Sequence, residues 1–115
     1  MTLIEKQKAF PLLLATFYTR LSALGYEFTL GDSYRDPALA RYYADLGIGI
    51  KNSNHCLRLA QDINLFKNGV FLVNDRDYKE AGLLWESLST SNITCSWGGH
   101  FGDGDHFSIV HNGVK

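Results

Sequence analysis

An apolar stripe at helical spacing over the first 24 residues limits the folds open to this chain. Ile4, Phe10, Leu13, Leu14, Phe17, Leu21 and Leu24 recur at the steps of one helix face. A helix carrying such a stripe must bury it against another apolar surface. The pattern predicts a helix over residues 3–24, stopped by Gly25, with Pro11 marking a kink or a late start. Lys6 and Lys8 ahead of the apolar run at residues 9–17 mimic a short export signal. No small-residue cleavage site follows, and the stripe continues beyond the run, so the expectation is a helix and a chain made without its own export signal.

The partner surface is expected from the strands that follow. Residues 26–30 alternate and carry β-formers, and residues 57–66 place Leu57, Leu59, Ile63 and Leu65 on one parity. Asn68-Gly69 is a hairpin signal into residues 70–73, and a last strand is expected from His106 to Val110. Asp36-Pro37 opens a short helix through Ala44. Asn74 or Asp75 is expected to cap another through Leu88, burying Tyr78, Ala81, Leu84, Trp85 and Leu88. Residues 47–54 read as a loop. Strand pairs and helices outside a regular βαβ alternation predict an α+β domain with a small mixed or antiparallel sheet. With 115 residues, 45% of them apolar, the chain suffices for one core, so residues 1–115 are expected to form one domain.

Composition narrows the function. Charged residues are 20% of the chain and the net charge is −1, which argues against disorder and against a nucleic-acid surface. Cys56 and Cys95 stand far apart, outside any CxxC pair, so neither a disulfide scaffold nor a cysteine zinc ribbon is available. No apolar run reaches the roughly 20 residues of a membrane span, so no membrane insertion is expected.

Chemistry concentrates in two places. Asp62 falls among apolar strand residues, where an acid is costly unless paired or bound to a cation. His55 lies seven residues earlier and on the opposite parity, so one uninterrupted strand would point the two apart. They converge only if His55 belongs to the preceding loop or a bulge intervenes. The second place is the glycine-rich stretch from Trp97 to Phe107, which ends in Asp103, Asp105 and His106. Two imidazoles and one carboxylate make a tripod for Zn²⁺ that leaves a position for water. A further, uncoordinated carboxylate must then take the proton, and Asp103 and Asp105 compete for that task. Plainer readings stand beside these: His55 as a capping residue, Asp62 paired with Arg58 or a backbone donor, and residues 102–105 as a turn or a weak calcium loop.

Together these residues resemble the VanY-like zinc D-Ala-D-Ala carboxypeptidases and L-alanyl-D-glutamate endopeptidases of the Hedgehog/DD-peptidase fold, common among phage endolysins. The family's first motif, Ser-x-His-x-x-Gly-x-Ala-x-Asp, is matched by Ser53, His55, Ala60 and Asp62, with Arg58 in place of the glycine. The second, Asp/Glu-x-x-His-Phe after a Trp-Gly-Gly element, is matched by Asp103, His106 and Phe107 after Trp97-Gly98-Gly99. Ser108 stands where many relatives carry Glu. The resemblance implies His55, Asp62 and His106 as zinc ligands and Asp103 as general base. Tyr34-Arg35 resembles the family's Tyr-Arg element, which implies that Arg35 grips the scissile carbonyl; Arg35 could instead be an exposed partner of Asp32 or Asp36. Tyr34, Ser53 and Trp97 are implied near the substrate. Asp105, His100 and His111 match no motif position.

The implied activity is zinc-dependent hydrolysis of a peptidoglycan stem peptide, as an L-Ala–D-Glu endopeptidase or a D-Ala–D-Ala carboxypeptidase. The implied setting is a monomeric phage endolysin held in the host cytoplasm until the membrane is permeabilised. A non-catalytic wall-peptide-binding module of the same fold is the alternative that Arg58 and Ser108 leave open. A metal-dependent nuclease lacks the basic stripe it would need.

Overall fold

The computed structural model describes residues 1–49 and 52–115, so Ile50 and Lys51 of the expected loop lie outside the described residues. Helix α1 (Leu3–Ala23) begins at a capping box, in which the Thr2 hydroxyl accepts from the Glu5 amide and the Glu5 carboxylate accepts from Thr2. Pro11 neither ends the helix nor delays its start. Only the central part of the expected stripe is buried: Phe10, Leu14, Phe17 and Leu21 face the core, whereas Ile4 and Leu24 at the two ends are exposed.

The sheet that receives α1 has five strands: β1 (Tyr26–Leu30), β2 (Ala60–Lys67), β3 (Val70–Phe71), β4 (Cys95–Trp97) and β5 (His106–Ile109). Its order is β1-β2-β5-β4, every pairing antiparallel, and β3 adds to β2 near the hairpin. Between β3 and β5 the edge of β2 is completed by a side chain. The Tyr78 hydroxyl accepts from the Leu65 amide at 3.1 Å and donates to the Leu72 carbonyl at 2.9 Å.

Helix α2 (Pro37–Asp45) starts where expected, with the Asp36 carboxylate accepting from the Ala38 amide. Helix α3 (Lys79–Ser87) follows a 3₁₀ turn at Asp75–Tyr78, and neither Asn74 nor Asp75 caps it. Asp75 instead accepts from the Gly104 amide at 3.0 Å, tying the glycine-rich segment to the start of α3. Leu84 and Leu88 are half-buried, while Tyr78, Ala81 and Trp85 are buried as expected. Trp85 sits under Phe10 and Phe17, and Phe17 also meets Phe107 at 5.0 Å between ring centres. Cys95–Trp97, for which no element was expected, is a buried edge strand.

Alternation along β5 divides the sheet. Phe107 and Ile109 point into the core with Ile63 and Leu65, while His106 and Ser108 point to the opposite face. Asp62 lies directly across from His106 in the β2–β5 register. The side of the sheet away from α1 therefore carries the candidate site. Among the described residues, no helix is long and apolar enough to cross a membrane.

Candidate metal centre and active site

His55 reaches Asp62 because the chain between them is not one strand. Asn54–Leu57 form a 3₁₀ turn whose first amide-capping group is the Ser53 hydroxyl, accepting from the His55 amide at 3.1 Å. Arg58 then adopts the left-handed conformation, φ 57° and ψ 35°, and β2 starts two residues later. That reversal cancels the parity mismatch. It also gives the physical reason for a glycine at this motif position, since the left-handed region strains any side chain with a Cβ.

The donor set converges. His55 Nε2 lies 3.2 Å from Asp62 Oδ1, and His106 Nδ1 lies 3.3 Å from the same oxygen. One donor atom from each of the three residues lies within 4.8 Å of the others. His55 Nδ1 is 2.7 Å from the Ser33 carbonyl, which can only accept, so Nδ1 carries the proton and Nε2 presents its lone pair. Asp62 Oδ1 is buried without a hydrogen-bond donor despite the two nearby nitrogens, and His106 Nε2 is buried without a partner. Two imidazole nitrogens and a carboxylate oxygen facing one another without hydrogen-bond alignment suit a divalent cation. The three residues could hold a metal ion, and the plainer readings of His55 as a mere cap and of Asp62 as a partner of Arg58 do not describe them.

Burial alone would raise the Asp62 carboxyl, but the adjacent His106 and His55 rings overcome it and hold the group at about 2. His55 feels burial as a downward pull; Asp62 and the Ser33 carbonyl outweigh that pull, and its pKa lies above the ordinary value. Asp105 moves the other way. Burial, hydrogen bonding to Asp103 and repulsion from Asp62 and Asp103 push its carboxyl up to about 7.

The donor set opens into a cavity of about 430 Å³ whose walls include Arg35, Ser53, Phe101, Asp103, Asp105 and Lys115. Asp103 is half exposed, with Oδ2 3.9 Å from His106 Nδ1. Arg35 pairs with Asp32 at 3.3 Å, and its side chain, only 19% exposed, lines the cavity. The Trp97 ring is buried outside the cavity wall, and its indole N–H donates to the Gly104 carbonyl at 2.7 Å, so it supports the loop carrying Asp103. Tyr34 is exposed, with the Arg58 guanidinium 3.9 Å above its ring, and it too is absent from the cavity wall.

His100 bonds Glu86 at 3.0 Å, and His111 lies 3.2 Å from the Lys6 ammonium, so neither joins the donor set. Ser108 is fully buried with an unpartnered hydroxyl, across from Ala60 and Ser96. Sequence reasoning missed three contributors. The Ser33 carbonyl orients His55 through its backbone, which no side-chain motif reports. Lys115 and Phe101 enter the cavity through tertiary structure alone. Asp105 carried a signal, an acid flanked by glycine and a ligand, and was set aside for matching no motif.

No family model matches the chain, and no curated protein does. Its structure is similar to that of a Serratia marcescens L-Ala D-Glu endopeptidase, ChiX, with a TM-score of 0.53 and 22% sequence identity. The match covers 72% of this chain and 66% of the endopeptidase, so the chain spans just under two thirds of that protein's length. At that identity the likeness is one of fold: the α+β architecture is shared with that endopeptidase.

Proposed function

We propose that the chain is a zinc-dependent peptidoglycan hydrolase that cleaves the L-Ala–D-Glu bond of the stem peptide. The observation that carries this reading is the convergence of His55, Asp62 and His106 within 4.8 Å, beside the half-exposed carboxylate of Asp103. The fold shared with an L-Ala D-Glu endopeptidase favours that bond over the D-Ala–D-Ala bond. His55, Asp62 and His106 would hold the ion, whose bound form supplies Lewis acidity and a more acidic water.

Asp103 takes a proton from the attacking water as its oxygen bonds to the carbonyl carbon. It returns that proton to the nitrogen as the C–N bond breaks, leaving a carboxylic acid and an amine, and the acid's proton then passes to the amine to give carboxylate and ammonium. Arg35, on the cavity wall, offers permanent guanidinium donors to the carbonyl oxygen as negative charge builds there. Ser53 fixes the turn that presents His55. A phage lysis role, with the enzyme held in the cytoplasm until the membrane is permeabilised, belongs to the same proposal.

Purified protein incubated with muropeptides, with and without chelator, tests the reading, and mass spectrometry of the new termini identifies the bond. Asp103→Asn should retain zinc and lose at least about a hundredfold in kcat. His55→Ala and His106→Ala should lose zinc by elemental analysis. Full activity of Asp103→Asn, or wild-type zinc content in both histidine variants, would overturn the assignment.

A further inference from the structure

The segment at residues 32–35 does two things for the site: the Ser33 carbonyl fixes the His55 ring, and Arg35 lines the cavity. Its ends are anchored by the backbone. Asp62 donates its amide to the Asp32 carbonyl at 2.8 Å, and Arg35 donates its amide to the His55 carbonyl at 3.0 Å. Between these anchors stands Tyr34, whose ring lies under the Arg58 guanidinium at 3.9 Å. Arg58 is itself the left-handed residue that turns the chain from the His55 turn into β2. The arginine thus occupies a conformation that favours glycine, in a motif that elsewhere carries glycine, and its side chain reaches back across the segment that orients the first ligand.

We propose that Arg58 is a positioning residue: by stacking on Tyr34 it holds the 32–35 segment, and through it the Ser33 carbonyl on His55 and Arg35 at the cavity. A glycine here would ease the backbone but leave Tyr34 without its clamp. The arginine trades backbone ease for a better-oriented ligand, an outer contact of the kind that tunes metal affinity. This inference rests on the metal-site reading above, and its test separates the two.

Arg58→Gly and Arg58→Asn both tolerate the left-handed conformation and remove the stack. Tyr34→Ala removes the ring, and Tyr34→Phe keeps it. For each, zinc affinity is measured by competition with a chromophoric chelator. Amide exchange is followed at Arg35 and Asp62, whose N–H groups bridge the segment to the site. Thermal stability of the zinc-free protein completes the set. Arg58→Gly should melt no lower than wild type, yet bind zinc about fivefold more weakly and exchange faster at Arg35. Tyr34→Ala should match it, Tyr34→Phe should bind zinc as wild type does, and the Arg58→Gly/Tyr34→Ala double variant should be no worse than either single one.

Unchanged exchange in Arg58→Gly overturns the proposal. So does faster exchange with undiminished zinc affinity, because the segment would then be held without serving the ligand. Failure of the wild type to cleave muropeptides would remove the hydrolase reading while leaving both of these outcomes readable.

Discussion

Gly98 is where loop geometry and chemistry can be perturbed by one methyl group. A Cβ built on Gly98 lies 2.2 Å from the Asp103 carbonyl oxygen and 2.8 Å from His106 Cβ. Ordinary carbon contacts need about 3.5 Å, so in Gly98→Ala the Asp103 carbonyl must retreat by roughly 1 Å. The obstacle is backbone, and the same residues are tied by the Asp103 amide donating to the Gly98 carbonyl at 2.9 Å, so the strain has no flexible side chain to absorb it. Overpacking of this kind costs about 1–3 kcal/mol, which for a domain of this size lowers Tm by roughly 4–12 °C. A displacement near 1 Å of a catalytic base costs on the order of a hundredfold in rate. The variant is assayed for Tm by calorimetry, zinc by elemental analysis and kcat on muropeptides. Zinc should be held more weakly, because the added atom also presses on His106, and kcat should fall. Gly99→Ala supplies the comparison, since there the added atom strikes the Trp97 ring instead. A Gly98→Ala enzyme with wild-type Tm and kcat would refute the reasoning.

Tyr78→Phe should cost about 1–3 kcal/mol in urea denaturation, because it leaves the buried Leu65 amide without its acceptor, and it should leave zinc affinity unchanged. The zinc-free protein should lose thermal stability as pH rises from about 4 through 7. Asp105, held up at about 7 by burial, Asp103 and Asp62, and His55, also raised, each contribute stability that is present below their unfolded pKa and lost as pH climbs through the folded one. Asp105→Asn should flatten that slope by an amount on the order of 2 kcal/mol after screening, and an unchanged slope would reject Asp105 as its source. Asp62, held at about 2, works in the opposite sense and adds a loss of stability only below about pH 4.

What was legible in the sequence follows from how local each signal is. Helix α1 and four of the five strands could be read because the 3.6 and 2.0 periods are properties of neighbouring residues. Cys95–Trp97 could not, because three residues beside Gly98 and Gly99 carry too short a pattern, and β4 exists by pairing with β5. Asp75 looked like a helix cap because it stands before an apolar-periodic stretch. Its carboxylate is instead taken by the Gly104 amide, 29 residues away. Trp97, which the resemblance implied near the substrate, has a buried ring, for which Gly82 and Gly99 leave the room.

The donor set shows the same division more sharply. Side-chain types left a site of two imidazoles and one acid open beside plainer readings, and it was the family resemblance that singled out His55, Asp62 and His106. Whether they could meet was undecidable from parity, which set His55 and Asp62 apart. The answer depended on one backbone torsion at Arg58, whose side chain gives no hint of a positive φ. An arginine there is an expensive choice for the backbone, and the strain persists because the reversal brings His55 over Asp62 while the guanidinium finds Tyr34. His106, by contrast, is placed by strand register alone, directly across from Asp62. One member of the donor set is thus held by a ladder of backbone hydrogen bonds and another by a strained turn. The turn is the softer of the two, so substitutions around Arg58 should disturb metal binding more readily than equally mild changes along β5.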